Sequence, residues 1–143
     1  NGRFEVLVLH VFLVMHRMRD DADCAKLARS LSEQAVLDVD RNLREMGVGD
    51  LSVGRKVKSL TEGLYGRLGV YAEGIERTKG GLDAELRRNL FSEGQALDAS
   101  VQAAESYMRR ETESLKTCDT ADLLAGCVRF GAGPVEGIEN GGK

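Results

Sequence analysis

Arg3-Phe-Glu-Val-Leu-Val-Leu-His-Val-Phe-Leu-Val-Met-His-Arg-Met-Arg19 is the stretch on which the fold turns. Before its last turn only Glu5, His10 and His16 interrupt the apolar residues, so a helix here is apolar nearly all round. Such a helix belongs in the middle of a bundle. The valines between Val6 and Val14 leave a strand as the competing reading, but the length of the run and its Arg17, Arg19 ending favour a helix. The most apolar part, Val6 to Met15, is broken by His10 and falls far short of the roughly 20 residues a membrane-spanning helix needs. It has no basic flank before it and no small-residue cleavage site after it, so it does not read as a signal peptide. Opening on Asn1 rather than methionine, the chain reads as a processed or truncated piece.

The rest of the sequence permits long helices almost everywhere. Its single proline is Pro134, and aromatic residues make up 5% with no tryptophan. With 143 residues, 42% hydrophobic and 30% charged, one sizeable core is expected, hence one domain. A net charge of -3 lacks the general positive field that would draw the protein onto nucleic acid or an anionic membrane, and DNA is not an expected partner. Contact with RNA or a lipid surface would have to be local. Cys24, Cys118 and Cys127 form neither a disulfide framework nor a zinc ligand set; they read as small buried residues of a reducing compartment.

Outward from the first helix, Asp20-Asp21-Ala22-Asp23 offers N-cap oxygens, and Ala28, Leu31, Ala35, Val39, Leu43 and Met46 recur at helical spacing. Gly47 falls where a left-handed C-terminal cap is wanted, and Asp50 or Ser52 is expected to cap a third helix. That helix carries Val57, Leu60, Leu64, Leu68, Tyr71 and Ile75 on one face and should end before Lys79-Gly80-Gly81. Gly63, Gly66 and Gly69 recur within it at intervals of three, each costing about 0.8 to 1 kcal/mol relative to alanine in a helix interior. Either a neighbouring helix packs closely there, or the strip is an open groove or hinge for a partner. Leu82, Leu86, Leu90 and Phe91 predict a short fourth helix closed by Gly94. Leu97, Val101, Ala104, Met108 and Leu115 predict a longer fifth, with Arg109 and Arg110 on a solvated face. Asp119 or Thr120 should cap a last short helix through Leu123 and Leu124. The expectation is an all-α, single-domain bundle of five to six helices over residues 3–130, built around a hydrophobic first helix. Residues 131–143 read as a flexible glycine-rich tail.

Little in this pattern speaks of catalysis. No phosphate-binding glycine loop is present, and Gly47-Val-Gly-Asp50 lies between helices, where its glycines make a turn. His10 and His16 are six apart, on different faces of a helix, whereas a helical metal pair uses i,i+4. His10 reads as a core-edge residue and His16 as a solvent-facing one, so neither a metal nor a haem is expected. Asp38 and Asp40 beside Arg41 and Arg44 suit intrahelical pairing better than acid–base chemistry. The cluster Arg55, Lys56, Lys58 is the most distinctive local feature, open to acidic protein, RNA or lipid headgroups, or else a plain solvated face.

Three stretches carry a resemblance to a known family. Arg3 to Val14, with its Leu9-His-Val11 step, resembles the apolar first helix of the ubiquinol-cytochrome c chaperone family. Asp40-Arg-Asn-Leu-Arg-Glu-Met-Gly-Val-Gly-Asp-Leu-Ser-Val-Gly54 resembles its most distinctive run, and Arg55-Lys-Val-Lys58 with Tyr65-Gly-Arg67 extends the match. Later helices agree through Leu90-Phe91 and Leu124-Ala-Gly-Cys-Val-Arg-Phe130, while Gly63, Gly66 and Gly69 depart from the alanines of relatives. The resemblance implies an all-helical assembly chaperone, not an enzyme and without cofactor, whose client is newly made cytochrome b or another apolar membrane-protein segment. It further implies a ribosome or small partner protein nearby, peripheral membrane association, and a partner-binding surface at Arg41, Arg44, Asp50, Arg55, Lys56, Lys58, Tyr65 and Gly66. The expected location is the bacterial cytoplasm at the inner membrane, with the mitochondrial matrix side as the alternative. A haem-handling protein or enzyme on a similar scaffold is the competing class.

Overall fold

The computed structural model describes residues 2–77, 81–91 and 97–133. Within them the chain forms α1 (Gly2–Met18), α2 (Ala25–Glu45), α3 (Asp50–Glu76), α4 (Asp83–Asn89), α5 (Asp98–Lys116) and α6 (Thr120–Leu124), with a 3-10 turn at Ala22–Cys24 ahead of α2. No strand occurs among the described residues. The all-α expectation holds, and so does the placing of the first helix. α1 packs against α2, α3 and α5 together. Its Val8, Leu9, Phe12 and Leu13 form the centre of a core shared with Leu64 and Tyr71 of α3, Leu82 and Leu86 around α4, and Val101, Ala104 and Met108 of α5.

Local signals place the helix ends. Gly47 has φ +84°, and the Val48 and Gly47 amides donate to the carbonyls of Leu43 and Arg44 at 3.1 and 3.0 Å, the paired bonds of a Schellman cap. Gly126, at φ +80°, repeats the device after α6: Cys127 N–H meets Asp122 O at 2.8 Å and Gly126 N–H meets Leu123 O at 3.0 Å. Four residues link α2 to α3, short enough to make them an antiparallel hairpin.

Several expectations fail for identifiable reasons. Neither Asp50 nor Ser52 caps α3. Gly49 holds that position, its carbonyl accepting from Ser52 N and Val53 N, and the Asp50 carboxylate turns back to Arg44. Asp119 serves α6 through its backbone only, while the Thr120 hydroxyl donates to Asp21 Oδ2 at 2.5 Å. That hydroxyl, more than any other group, holds the Asp21 carboxyl below its usual range. Lys79, Gly80, Gly94 and the tail from Pro134 lie outside the described residues.

Arg109 is not on a solvated face. Its guanidinium donates to the carbonyls of Gly74 (3.1 Å), Ile75 (3.2 Å) and Arg77 (2.9 Å), closing the C-terminus of α3 from α5 while Nε holds Glu105 at 2.9 Å. Arg17 does the same for α5, meeting Leu115 O at 2.8 Å and Cys118 O at 2.7 Å. Of the cysteines, Cys24 is buried as expected, Cys118 is half-buried, and Cys127 is exposed because the Gly126 turn carries the chain outward.

Candidate functional site

The residues singled out from the sequence fall along the α2–α3 hairpin. Arg44 joins its two arms, reaching Asp40 at 3.1 Å and Asp50 at 2.9 Å, and Arg41 pairs with Asp38 at 3.5 Å. Arg55, Lys56 and Lys58 are exposed, with no ion-pair partner among the described residues. Tyr65 is half exposed and Gly66 open, but from Asp50 to Gly66 the helix advances about 24 Å, so the eight residues form an elongated strip rather than one pocket.

The glycines resolve into different environments. A Cβ on Gly66 or Gly69 would meet nothing within 4 Å, so no neighbouring backbone among the described residues lies against the strip. Gly63 leaves room for the Arg67 guanidinium, 2.9 Å from where its Cβ would stand, which reaches the buried Glu5 on α1 at 2.7 Å. Burial raises the Glu5 carboxyl above its usual range, against the lowering pull of Arg67. The close approach lies elsewhere: a Cβ on Gly74 would stand 2.6 Å from the Gly81 carbonyl oxygen and 2.7 Å from Leu82.

A second candidate was not legible in the sequence. Along the outer side of α1, His10, Val11, Val14 and Met18 face Leu27 and Leu31 of α2 across an apolar groove of about 300 Å³, at the small end of ligand pockets. Leu123, Gly126, Val128 and Phe130 close its other wall. That wall is pinned to α5 by Glu111, itself buried, whose carboxylate accepts from Gly131 N at 2.7 Å and Arg110 Nε at 2.8 Å; Arg110 also donates to the Ala132 carbonyl. Val6 and Leu7, 46% and 40% exposed, extend the apolar surface along the same helix. α1 is therefore central but not enclosed. The available signal was the pair Val128 and Phe130, bulky apolar residues on either side of Arg129 in a stretch rich in glycine and alanine.

His10 sits on the groove wall as a core-edge residue. Its Nδ1–H donates to Val6 O at 2.8 Å, which leaves Nε2 to accept the Tyr107 hydroxyl at 2.7 Å, with Phe130 edge-on at 4.8 Å. Both nitrogens are engaged. His16 is half-buried rather than solvent-facing: it packs on Phe12 and accepts from Arg19 at 3.1 Å. Burial first, and Arg19 next, hold its pKa below the usual value. Among the described residues no group of three or more His, Cys, Asp or Glu is placed to hold a metal, and no helix is long and apolar enough to cross a membrane. The arrangement lends itself to holding an apolar segment.

The sequence model described as ubiquinol-cytochrome C chaperone matches residues 1–130. Ubiquinol-cytochrome-c reductase complex assembly factor 1 of Xenopus laevis is 29% identical over 125 residues, which cover 87% of this chain and 62% of that protein. The Mus musculus counterpart is 26% identical over 125 residues, 42% of its length, so the chain spans only about half the length of these relatives. The crystal structure of the Cbp3 homolog from Brucella abortus superposes with a TM-score of 0.81 at 30% identity, covering 92% of this chain and 73% of that one. With six helices among the described residues, a centrally packed apolar first helix and a match running from residue 1 to residue 130, the chain belongs to the ubiquinol-cytochrome C chaperone family.

Proposed function

We propose that this chain is the client-holding unit of an assembly chaperone for ubiquinol-cytochrome c reductase, and that residues 3–130 carry the activity, with 131–143 as a tail. The names of its relatives support the assembly role, and the apolar groove along α1 carries the reading. An apolar helix emerging from synthesis exposes side chains at i, i+4 and i+7, a span of about 10 Å. The stretch of α1 from His10 to Met18 advances about 12 Å, room for one such face. Cytochrome b, the apolar subunit of the complex, is the client we assign to it. The hairpin strip Arg41, Arg44, Asp50, Arg55, Lys56, Lys58, Tyr65 and Gly66 serves a second contact, with a ribosome, a small partner protein or the membrane. The protein works as a binder rather than an enzyme, in the bacterial cytoplasm beside the inner membrane.

The groove is tested with Val14→Asp and Leu31→Asp, both at positions only partly buried. A buried unpaired carboxylate is costly enough to exclude an apolar client. Recovery of cytochrome b in affinity purification from respiring cells should fall at least about tenfold, with the helical circular dichroism retained. Parent-like recovery from folded variants rejects the groove as the client site.

A further inference from the structure

The hairpin of α2 and α3 ends in two bare apolar side chains. Leu51 is 95% exposed and Met46 is 72% exposed, on either side of the Gly47–Gly49 turn. Arg55 and Lys58 follow Leu51 at i+4 and i+7, so the three share one face of α3, with Lys56 on its flank. Those cations stand about 6 and 10 Å behind the leucine along the helix axis.

The charge at this end is sorted by helix. Asp38 is engaged by Arg41, and Asp40 and Asp50 by Arg44, so three of the four carboxylates at this end are met by α2 arginines. Glu45 is the one carboxylate between Asp38 and Lys58 without an ion pair among the described residues, and it lies on α2. From Asp38 to Lys58 there are five cations and four anions, in a protein of net charge -3. The free positive charge is concentrated on α3, behind the apolar tip.

We propose that the α2–α3 tip docks on an anionic bilayer, with Met46 and Leu51 entering the boundary between headgroups and acyl chains and Arg55, Lys56 and Lys58 meeting lipid phosphates. This rests on the chaperone reading only in giving the client-holding unit its place at the membrane. A bilayer is apolar below and negatively charged above, and the tip presents the same order over the same few ångströms. An RNA or acidic protein would use the cations but has no need of two uncovered apolar side chains.

Flotation of the full chain with phosphatidylcholine vesicles, with and without phosphatidylglycerol, tests the docking. The parent should float with the anionic vesicles and not with the neutral ones. Met46→Ser with Leu51→Ser should lower partitioning by about tenfold, and Arg55→Gln with Lys56→Gln and Lys58→Gln by about tenfold or more. All these side chains are exposed, and thermal melts verify that the variants fold. A parent that ignores anionic vesicles overturns the proposal. So does a tip variant that floats like the parent while the charge variant is lost, which would mark a charge-only partner such as RNA. Recovery of cytochrome b by the tip variant separates the two readings. Lost flotation with client recovery kept supports docking, whereas kept flotation with client recovery lost overturns it and assigns the tip to the client.

Discussion

Gly66 and Gly74 lie on the same helix eight residues apart, and the same substitution should move stability in opposite directions. Gly66→Ala meets open space and gains helix propensity, about 0.8 to 1 kcal/mol, raising the melting temperature by roughly 2 to 4 °C for a chain of this size. Gly74→Ala forces a methyl into the Gly81 carbonyl oxygen at 2.6 Å and should cost about 1 to 3 kcal/mol despite the same propensity gain. Paired thermal melts read both signs, and a stabilised Gly74→Ala would show that the 81–82 segment yields freely. His16 gives a pH dependence. Its native pKa lies below the ordinary 6.5, so between those values the unfolded chain binds more protons than the native one. Stability therefore rises with pH through that window and is lost as pH falls from 6.5 toward the native value. Glu5, whose native pKa is raised above 4.5, slopes the other way above that value, and stability falls as pH rises through its window. Melting His16→Gln and the parent across the range should show a flatter acid limb in the variant; an unchanged limb assigns the slope to another group.

At the level of elements, two helix ends are closed by arginines from other helices in addition to bonds from their own flanking residues. Arg109 meets three carbonyls at the end of α3, and Arg17 meets two at the end of α5. A planar fork of donors suits several carbonyls at once, which a lysine ammonium cannot match. Arg109→Ala should cost about 2 kcal/mol, since charge-assisted hydrogen bonds are worth roughly 1.5 to 3 each but water replaces part of them at a half-exposed site. Arg109→Lys should recover less than half of it. Hydrogen exchange would locate the effect: amides of the last α3 turn should exchange faster while those of α2 keep their rates, and uniform acceleration would mean global destabilisation instead.

The whole molecule is organised around α1, which lends one side to the shared core and leaves the other to the groove. No ligand set exists among the described residues, so the melting temperature should stay within a few degrees when EDTA is added. A larger fall would reveal a bound metal. The groove wall from Gly126 to Ala132 has no regular secondary structure and is held by Phe130 against His10 and by Glu111 to Gly131. Phe130→Ala should widen the groove at a cost of about 3 kcal/mol if the wall stays folded. Protection of the wall in the variant is followed by hydrogen exchange at residues 127–133.

The sequence by itself determined the helices and most of their ends, because both depend on neighbours a few residues away. The 3.6-residue spacing of Ala35, Val39 and Leu43, and of Leu64, Leu68, Tyr71 and Ile75, needs no distant partner to be read, and Gly47 marks its left-handed cap locally. It also placed α1 at the centre, since a helix that is apolar nearly all round has few other stable positions. Which way a face points was decided only by the tertiary structure. Gly63, Gly66 and Gly69 fit a close crossing and an open strip equally well until α1 and α2 choose the other face of α3, and Arg109 among glutamates looks solvated until the end of α3 arrives beside it. The groove belongs to the same class. Its walls come from α1, α2, α6 and the segment after it, residues up to 120 positions apart, brought together by burial that no local spacing encodes.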